Sequence, residues 1–253
     1  MTLPIRSSAA LLGLSLFWIL AGPAHGEKIR TATPSATIHY LSLYVAEERG
    51  FFREENLDNE VIAIGGPAGM TALVNGGIDY SGATGSGMRA AMAGAPLKVI
   101  MFQTDRVTWY VVTGPQIAKI ADLRGKRVGV NALNDTSDSL ITRYFADYGL
   151  ASNEFTRVAL GTSPGTIIAA LKSGVADAAT LDPASLVRAE REGMRVLAFL
   201  GDKFPYPFEG FAVSEKKLAE NPAQVRRWLR AVIRSLMFIR ENVDGAAKSR
   251  SSG

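Results

Sequence analysis

ALVNGGID at 72–79 and ALKSGVAD at 170–177 both fit Ala-Leu-x-x-Gly-x-x-Asp, 98 positions apart. The correspondence extends to both sides of the phrase. KIRTATPS from Lys28 and KRVGVNAL from Lys126 keep the same 98-residue offset, and GAPLKVIMF (94–102) is echoed by GMRVLAFL (193–200) with a small slip in register. A unit that recurs once at this spacing implies two similar lobes, and two lobes imply a cleft.

Each unit reads as alternating strands and helices. In the first, strands are expected at 28–33, 60–64, 79–82 and 97–102, with helices at 40–49, 70–75 and 86–93. In the second, strands fall at 127–131, 156–160, 178–181 and 195–200, with helices at 137–148, 166–172 and 184–192. Alternation with connections too long for hairpins argues for an α/β fold with parallel-rich sheets and flanking helices. Within the repeated phrase, Gly76 and Gly174 are placed to end a helix in the left-handed conformation, and Asp79 and Asp177 to open the next strand. These residues are read as structural. A ligand is expected at the opposite ends, beyond the carboxyl ends of the strands.

The loops at those opposite ends carry hydroxyls and glycines just ahead of helices: TPSATIH (33–39), GATGSG (82–87), NALNDTS (131–137) and GTSPGT (161–166). Any one of them is ordinary helix capping. Four together on paired lobes form a set of backbone N–H donors and helix dipoles suited to a ligand.

The start of the chain reads differently. Arg6, an apolar run from Ala9 to Ala21 and the triplet Ala24-His25-Gly26 match a secretory signal cleaved after Gly26, residues 1–26. The alternative, a membrane anchor, is disfavoured because the run is shorter than the roughly 20 apolar residues a spanning helix needs. The chain contains no cysteine. A disulfide framework, thiolate metal site, cysteine nucleophile and lipid-bearing cysteine are thereby excluded. Net charge is +4 with the charges dispersed, Arg226, Arg227 and Arg230 excepted. This argues against a nucleic-acid partner, which needs a clustered basic footprint.

LYVAEERGFFREENL (43–57) and DLRGKRVGV (122–130), followed in order by ALKSGVAD, Leu181-Asp182-Pro183 and Gly193, resemble the exported substrate-binding proteins of ABC transporters of the nitrate/sulfonate/taurine type, related to the thiamine-pyrimidine binding proteins. The resemblance runs from about residue 28 to about 242. It implies a type II periplasmic binding protein fold: lobe 1 at 27–112 and 211–253, lobe 2 at 113–210, with hinge passages at 109–113 and 208–213. It also implies a periplasmic, monomeric protein that captures a small anionic (sulfonate, nitrate or carboxylate) or heteroaromatic metabolite and passes it to an inner-membrane permease, without a cofactor or metal.

Carried over residue by residue, the resemblance places the ligand against Ser35, Thr37 and His39, then Thr84 and Ser86, then Asp135, Thr136 and Ser137, then Thr162 and Thr166, with Asp182 beside them. Asp135 and Asp182 count against a purely anionic pocket; each either binds an amine or caps a helix. His39 is either a ligand contact or a solvated residue at a helix start. Tyr40, Trp109 and Tyr110 are read as pocket walls or core, Tyr40 rather as core.

Family members usually continue well past the helix at 223–242. The first lobe is therefore expected to lack its final helices, leaving Leu229, Val232, Leu236 and Ile239 without a partner. Enzymes share this fold, among them thiamine-pyrimidine synthase relatives and menaquinone-pathway enzymes, but the synthase relatives carry a cysteine-rich signature absent here, and His25 and His39 are the chain's two histidines. A catalytic reading lacks candidate groups. A sensory protein that hands its ligand to a membrane receptor is the other alternative.

Overall fold

The computed structural model describes residues 26–242; the expected export segment up to residue 25 and the tail 243–253 lie outside the described residues. The first unit runs β1 (Glu27–Thr33), a 3-10 turn (Ile38–Tyr40), α1 (Leu41–Glu48), α2 (Phe51–Glu54), β2 (Leu57–Ala63), α3 (Gly66–Val74), β3 (Tyr80–Ser81), α4 (Thr84–Met92) and β4 (Leu97–Phe102). After β5 (Tyr110–Thr113), the second runs β6 (Arg127–Val130), α5 (Thr136–Asp147), β7 (Thr156–Ala159), α6 (Pro164–Lys172), β8 (Ala178–Leu181), α7 (Pro183–Arg191) and β9 (Arg195–Phe199). The chain then returns through β10 (Gly210–Ser214), α8 (Glu215–Glu220) and α9 (Pro222–Glu241).

The two five-stranded sheets have matching orders, β2-β1-β3-β10-β4 and β7-β6-β8-β5-β9. In each, the fourth strand is antiparallel to both neighbours, so the sheets are mixed rather than simply parallel. That strand is also the one supplied from across the cleft: β5 follows the first unit but pairs in the second sheet, and β10 follows the second unit but pairs in the first. Sheet membership therefore changes ahead of these strands, between Phe102 and Tyr110 and between Phe199 and Gly210. The boundary drawn at 112/113 cuts β5, because Tyr110, Val111 and Val112 pair with Leu181, Thr180 and Ala179. The boundary at 210/211 likewise separates Gly210 from the strand in which it pairs with Phe102. The apolar strings YVVT and GFAVS are strands, and the connectors proper are the less regular stretches before them.

The repeated phrase ties each helix return to the first strand of its unit. Gly76 and Gly174 both adopt a φ of +73°, where an added Cβ is strained. The backbone N–H of Arg30 donates to Asp79 at 2.8 Å, and that of Arg127 donates to Asp177 at 2.9 Å. Neither glycine nor aspartate lines the cavity between the lobes.

α9 packs back on the first lobe, which corrects the expectation of an unpartnered apolar face. Val232 is fully buried, Leu229 and Leu236 pack against the core cluster, and Ile239 is half-buried. Trp228 is the centre of this contact. It is fully buried, stacks on Tyr80 at 4.1 Å and 12°, meets Phe211 edge-on and donates its indole N–H to Thr31 Oγ1 at 3.3 Å. Three of the five arginines of the helix fix it in place. Arg227 donates to the Glu55 carbonyl at 2.8 Å and pairs with Glu27, Arg230 pairs with Glu55 at 2.6 Å and Arg234 with Glu54 at 2.7 Å.

Replacing Trp228 by Ala removes this aromatic contact and is expected to cost about 3–5 kcal/mol. A urea unfolding curve checks it; a loss below about 1 kcal/mol, the scale of a surface substitution, would mean α9 contributes little to the first lobe.

Candidate functional site

The strand-to-helix loops of both units converge on one cavity of about 330 Å³ between the lobes. Its floor is the pair of connectors. These run side by side, hydrogen-bonded from Phe208 N–H to the Thr104 carbonyl at 3.2 Å, from Val107 N–H to the Phe204 carbonyl at 3.2 Å and from Leu200 N–H to the Trp109 carbonyl at 2.9 Å. Trp109, Phe208 and Glu209 face the cavity from this floor, with the Trp109 and Phe208 rings edge to face at 5.2 Å.

Nine of the eleven residues singled out from sequence line the cavity: Ser35, Thr37, His39, Thr84, Ser86, Asp135, Thr136, Thr162 and Asp182. Two do not. Ser137 is fully buried beneath its loop, where its hydroxyl accepts from the Asn131 N–H at 2.8 Å and donates to Asp135 at 2.7 Å. It shapes the loop from behind. Thr166 is exposed and is not part of the lining; on α6 the inward residues are Pro164 and Ile167. α6 begins at Pro164, two residues earlier than expected, which turns Thr166 outward. Tyr40 is both core and wall: it is buried, lines the cavity and donates its hydroxyl to the Gly82 carbonyl at 3.0 Å. Tyr110 is not in the lining and stacks on Phe199 at 4.6 Å.

The two aspartates do what capping residues do and face the cavity as well. Asp135 accepts from the Asp138 N–H at 3.0 Å at the start of α5, and Asp182 accepts from the N–H and hydroxyl of Ser185 at 3.1 and 2.8 Å at the start of α7. Burial raises the Asp135 carboxyl above its ordinary range, opposed by the hydrogen bonds from Asp138 and Ser137. α3, α4 and α6 start without a side-chain cap, so uncapped first turns, at Gly66, at Gly85 and Ser86 and at Pro164, present helix N-termini to the cavity.

Glu209 was not singled out from sequence. It is 4 % exposed, its N–H donates to Thr104 Oγ1 at 3.0 Å, and its carboxyl lies 3.7 Å from His39 Nδ1. Burial pushes that carboxyl up to about 8; the Tyr40 hydroxyl lowers it and the Asp182 charge raises it further. Nothing in its local sequence, FEGF, marks it as a cleft residue. Only the crossing of the connectors brings it there.

The lobes touch at both edges of the cavity. On one edge Thr162 donates to the Pro34 carbonyl at 2.9 Å. On the other, the half-buried Arg89 of α4 donates to Thr136 Oγ1 at 3.2 Å and to Ser86 Oγ at 3.2 Å. Gly85 lies so close to α5 that a Cβ there would stand 2.4 Å from Thr136 Oγ1.

Two lobes of one design, each completed by a strand from across the cleft and closed over a shared cavity, define the class of periplasmic binding protein folds. The chain belongs to the NMT1/THI5-like family, whose model matches residues 37–246. It is 24 % identical over 221 residues to riboflavin-binding protein RibY of Chloroflexus aurantiacus, covering 83 % of this chain and 61 % of that protein. It is 25 % identical over 194 residues to a putative binding protein of Brucella abortus, covering 74 % and 59 %. The chain thus spans about three fifths of the length of these curated relatives. Among solved structures it superposes on the alkanesulfonate-binding protein SsuA of Xanthomonas axonopodis pv. citri bound to MOPS, with a TM-score of 0.73 and 20 % identity over 88 % of this chain and 77 % of that one. The periplasmic nitrate-binding protein NrtA of Synechocystis PCC 6803 gives 0.73 and 16 % over 90 % and 66 %.

The Glu209 carboxyl makes stability depend on pH with a definite sign. Between its ordinary value of 4.5 and about 8 the folded chain holds a proton that the unfolded chain has lost. Stability therefore falls as pH rises through that window, on account of this residue. Glu209→Gln is expected to flatten the fall and to raise the melting temperature relative to wild type at pH 8, as read by differential scanning fluorimetry across pH 5–8.5; equal slopes in the two proteins would remove Glu209 as its source.

Proposed function

We propose that this protein is the solute-binding component of an ABC-type importer. It works as a periplasmic monomer, closes on a heteroaromatic metabolite bearing N–H or amine groups, and delivers it to an inner-membrane permease. The observation that carries the ligand class is the composition of the cavity. Asp135, Asp182 and Glu209 line it together with His39 and Trp109, and no lysine or arginine is among its lining residues. A sulfonate or nitrate would meet three carboxyl groups and no fixed cation, which is costly in a site removed from water. A flat ring bearing N–H donors gains hydrogen bonds from the carboxyls and apolar contact with Trp109. Its acceptor atoms match the uncapped starts of α3 and α4.

A binding role rather than catalysis is supported by the same residues. His39 Nε2 lies 3.0 Å from Thr108 Oγ1, but Thr108 is not among the lining residues, so this hydroxyl has no face toward a bound molecule. The similar proteins above are named as binding proteins.

A thermal-shift screen tests the reading. Aminopyrimidines, including the thiamine pyrimidine, and riboflavin are expected to raise the melting temperature, a ligand at a hundred times its Kd adding about 2.7 kcal/mol. Nitrate and alkanesulfonates are expected to leave it unchanged. Ala132→Trp, which places an indole in the cavity from the loop before α5, is expected to abolish the shift without lowering the unliganded melting temperature. Stabilisation by sulfonates alone, or persistence of the shift in Ala132→Trp, would move the ligand class or the site.

A further inference from the structure

The cavity floor places one carboxyl where the hydrogen-bond arithmetic is unusual. The Tyr40 hydroxyl has a single proton and gives it to the Gly82 carbonyl at 3.0 Å. The same hydroxyl is within hydrogen-bond reach of the Glu209 carboxyl, on which it acts as a donor. An ionised Glu209 therefore competes with the Gly82 carbonyl for that one proton, whereas a neutral Glu209 leaves it to Gly82. The other titratable groups facing the carboxyl are His39, at 3.7 Å on the 3-10 turn, and Asp182, whose charge acts on it from the start of α7. Asp182 is itself buried and capping a helix. Two buried carboxyls on one small cavity are not both ionised at low cost unless a positive group enters between them.

We infer that Glu209 selects for a cationic nitrogen on the ligand, of the amine or amidine class, and that binding such a group expels a proton from the Glu209 carboxyl to solvent. The exchange balances: the neutral acid loses H⁺, the resulting carboxylate accepts the N–H bonds of the cation, and the cavity gains no net charge beyond that of Asp135 and Asp182. The inference rests on the cleft reading above and narrows it, since a neutral ring with N–H groups satisfies the first and not the second. Glu209 sits on the connector rather than on a lobe, so its ionisation also changes the charge at the pivot of closure.

Benzamidine, benzamide and benzoate form a probe series with one ring and a cationic, neutral or anionic head. With the carboxyl at about 8, benzamidine binding to the wild-type protein is expected to tighten about twentyfold between pH 6.5 and 8.5. A histidine in this pH range acts in the same direction by gaining positive charge as pH falls, so Glu209→Gln is the variant that isolates the carboxyl. In Glu209→Gln most of the pH dependence is expected to vanish and benzamidine to bind more weakly at pH 8.5. A second readout needs no variant. Calorimetry of wild-type protein with benzamidine at pH 7, in two buffers of different ionisation enthalpy, should report close to one proton released. Benzamide is expected to bind without proton release, and benzoate not to bind. Benzamidine binding that is flat with pH, or that releases no proton, overturns the inference. So does benzamidine failing to bind while aminopyrimidines or riboflavin stabilise the protein, and in that case the cleft reading stands. If neither benzamidine nor any heteroaromatic compound binds the folded protein, both readings fall.

Discussion

Each sheet of this molecule is finished by a strand that arrives from across the cleft. β5 and β10 occupy equivalent fourth positions, each antiparallel to both neighbours. Neither lobe closes its hydrogen-bond ladder from its own contiguous segment, so the chain must cross twice, and the two crossings run against each other. The cleft floor is a direct product of that pairing. Trp109 precedes β5, and Phe208 and Glu209 precede β10, so the residues at the base of the cavity are those that the crossing geometry brings together. Because β5 and β10 run antiparallel to their neighbours, their starts lie at the same end of the sheets as the strand-to-helix loops of both units.

The cavity sorts its polar groups by the way its helices begin. α5 and α7 begin with aspartates whose carboxyls satisfy their own helix N–H groups and still reach the cavity. α3 and α4 begin with glycine and alanine at the cap, so their donors remain available. Carboxylate-capped helix starts on the cavity therefore belong to the second lobe, whereas uncapped starts face it from both lobes, α6 at Pro164 among them. Arg89 lies outside the lining yet bonds Ser86 and Thr136, both of which line it, so the edge contact and the cavity wall share residues.

The 98-residue repeat made the doubled architecture legible, because strands and returns recur with the same glycine and aspartate chemistry. The boundaries at β4 and β8 follow directly from the apolar strings LKVIMF and AATL. What the repeat does not encode is the pairing of β5 and β10, since a strand's partner is set by tertiary context and not by its own pattern; hence lobe limits drawn inside those strands. α1 shows the same limit at smaller scale. The spacing of Leu41, Tyr44, Val45 and Glu48 suggests one buried stripe with a wet edge, yet Ser42, Leu43, Val45 and Ala46 are the buried set of a helix that packs on α9. The site loops were readable as hydroxyl-rich helix starts. The resemblance brought Ser137 and Thr166 in by their place in the loops, and their directions depend on where α5 and α6 begin. Glu209 has no local signal, and its environment exists only once both connectors are in place.

Trp109 and Trp228 stand in opposite circumstances. One faces the cavity from the floor, against the edge of Phe208; the other is sealed in the first lobe against Tyr80. The remaining tryptophan, Trp18, lies in the expected export segment. Residues 26–242 thus hold an optical signal and its own reference: Trp109 emission is expected to respond to what occupies the cleft and Trp228 emission to stay constant, so occupancy should be readable from intrinsic fluorescence without any attached dye.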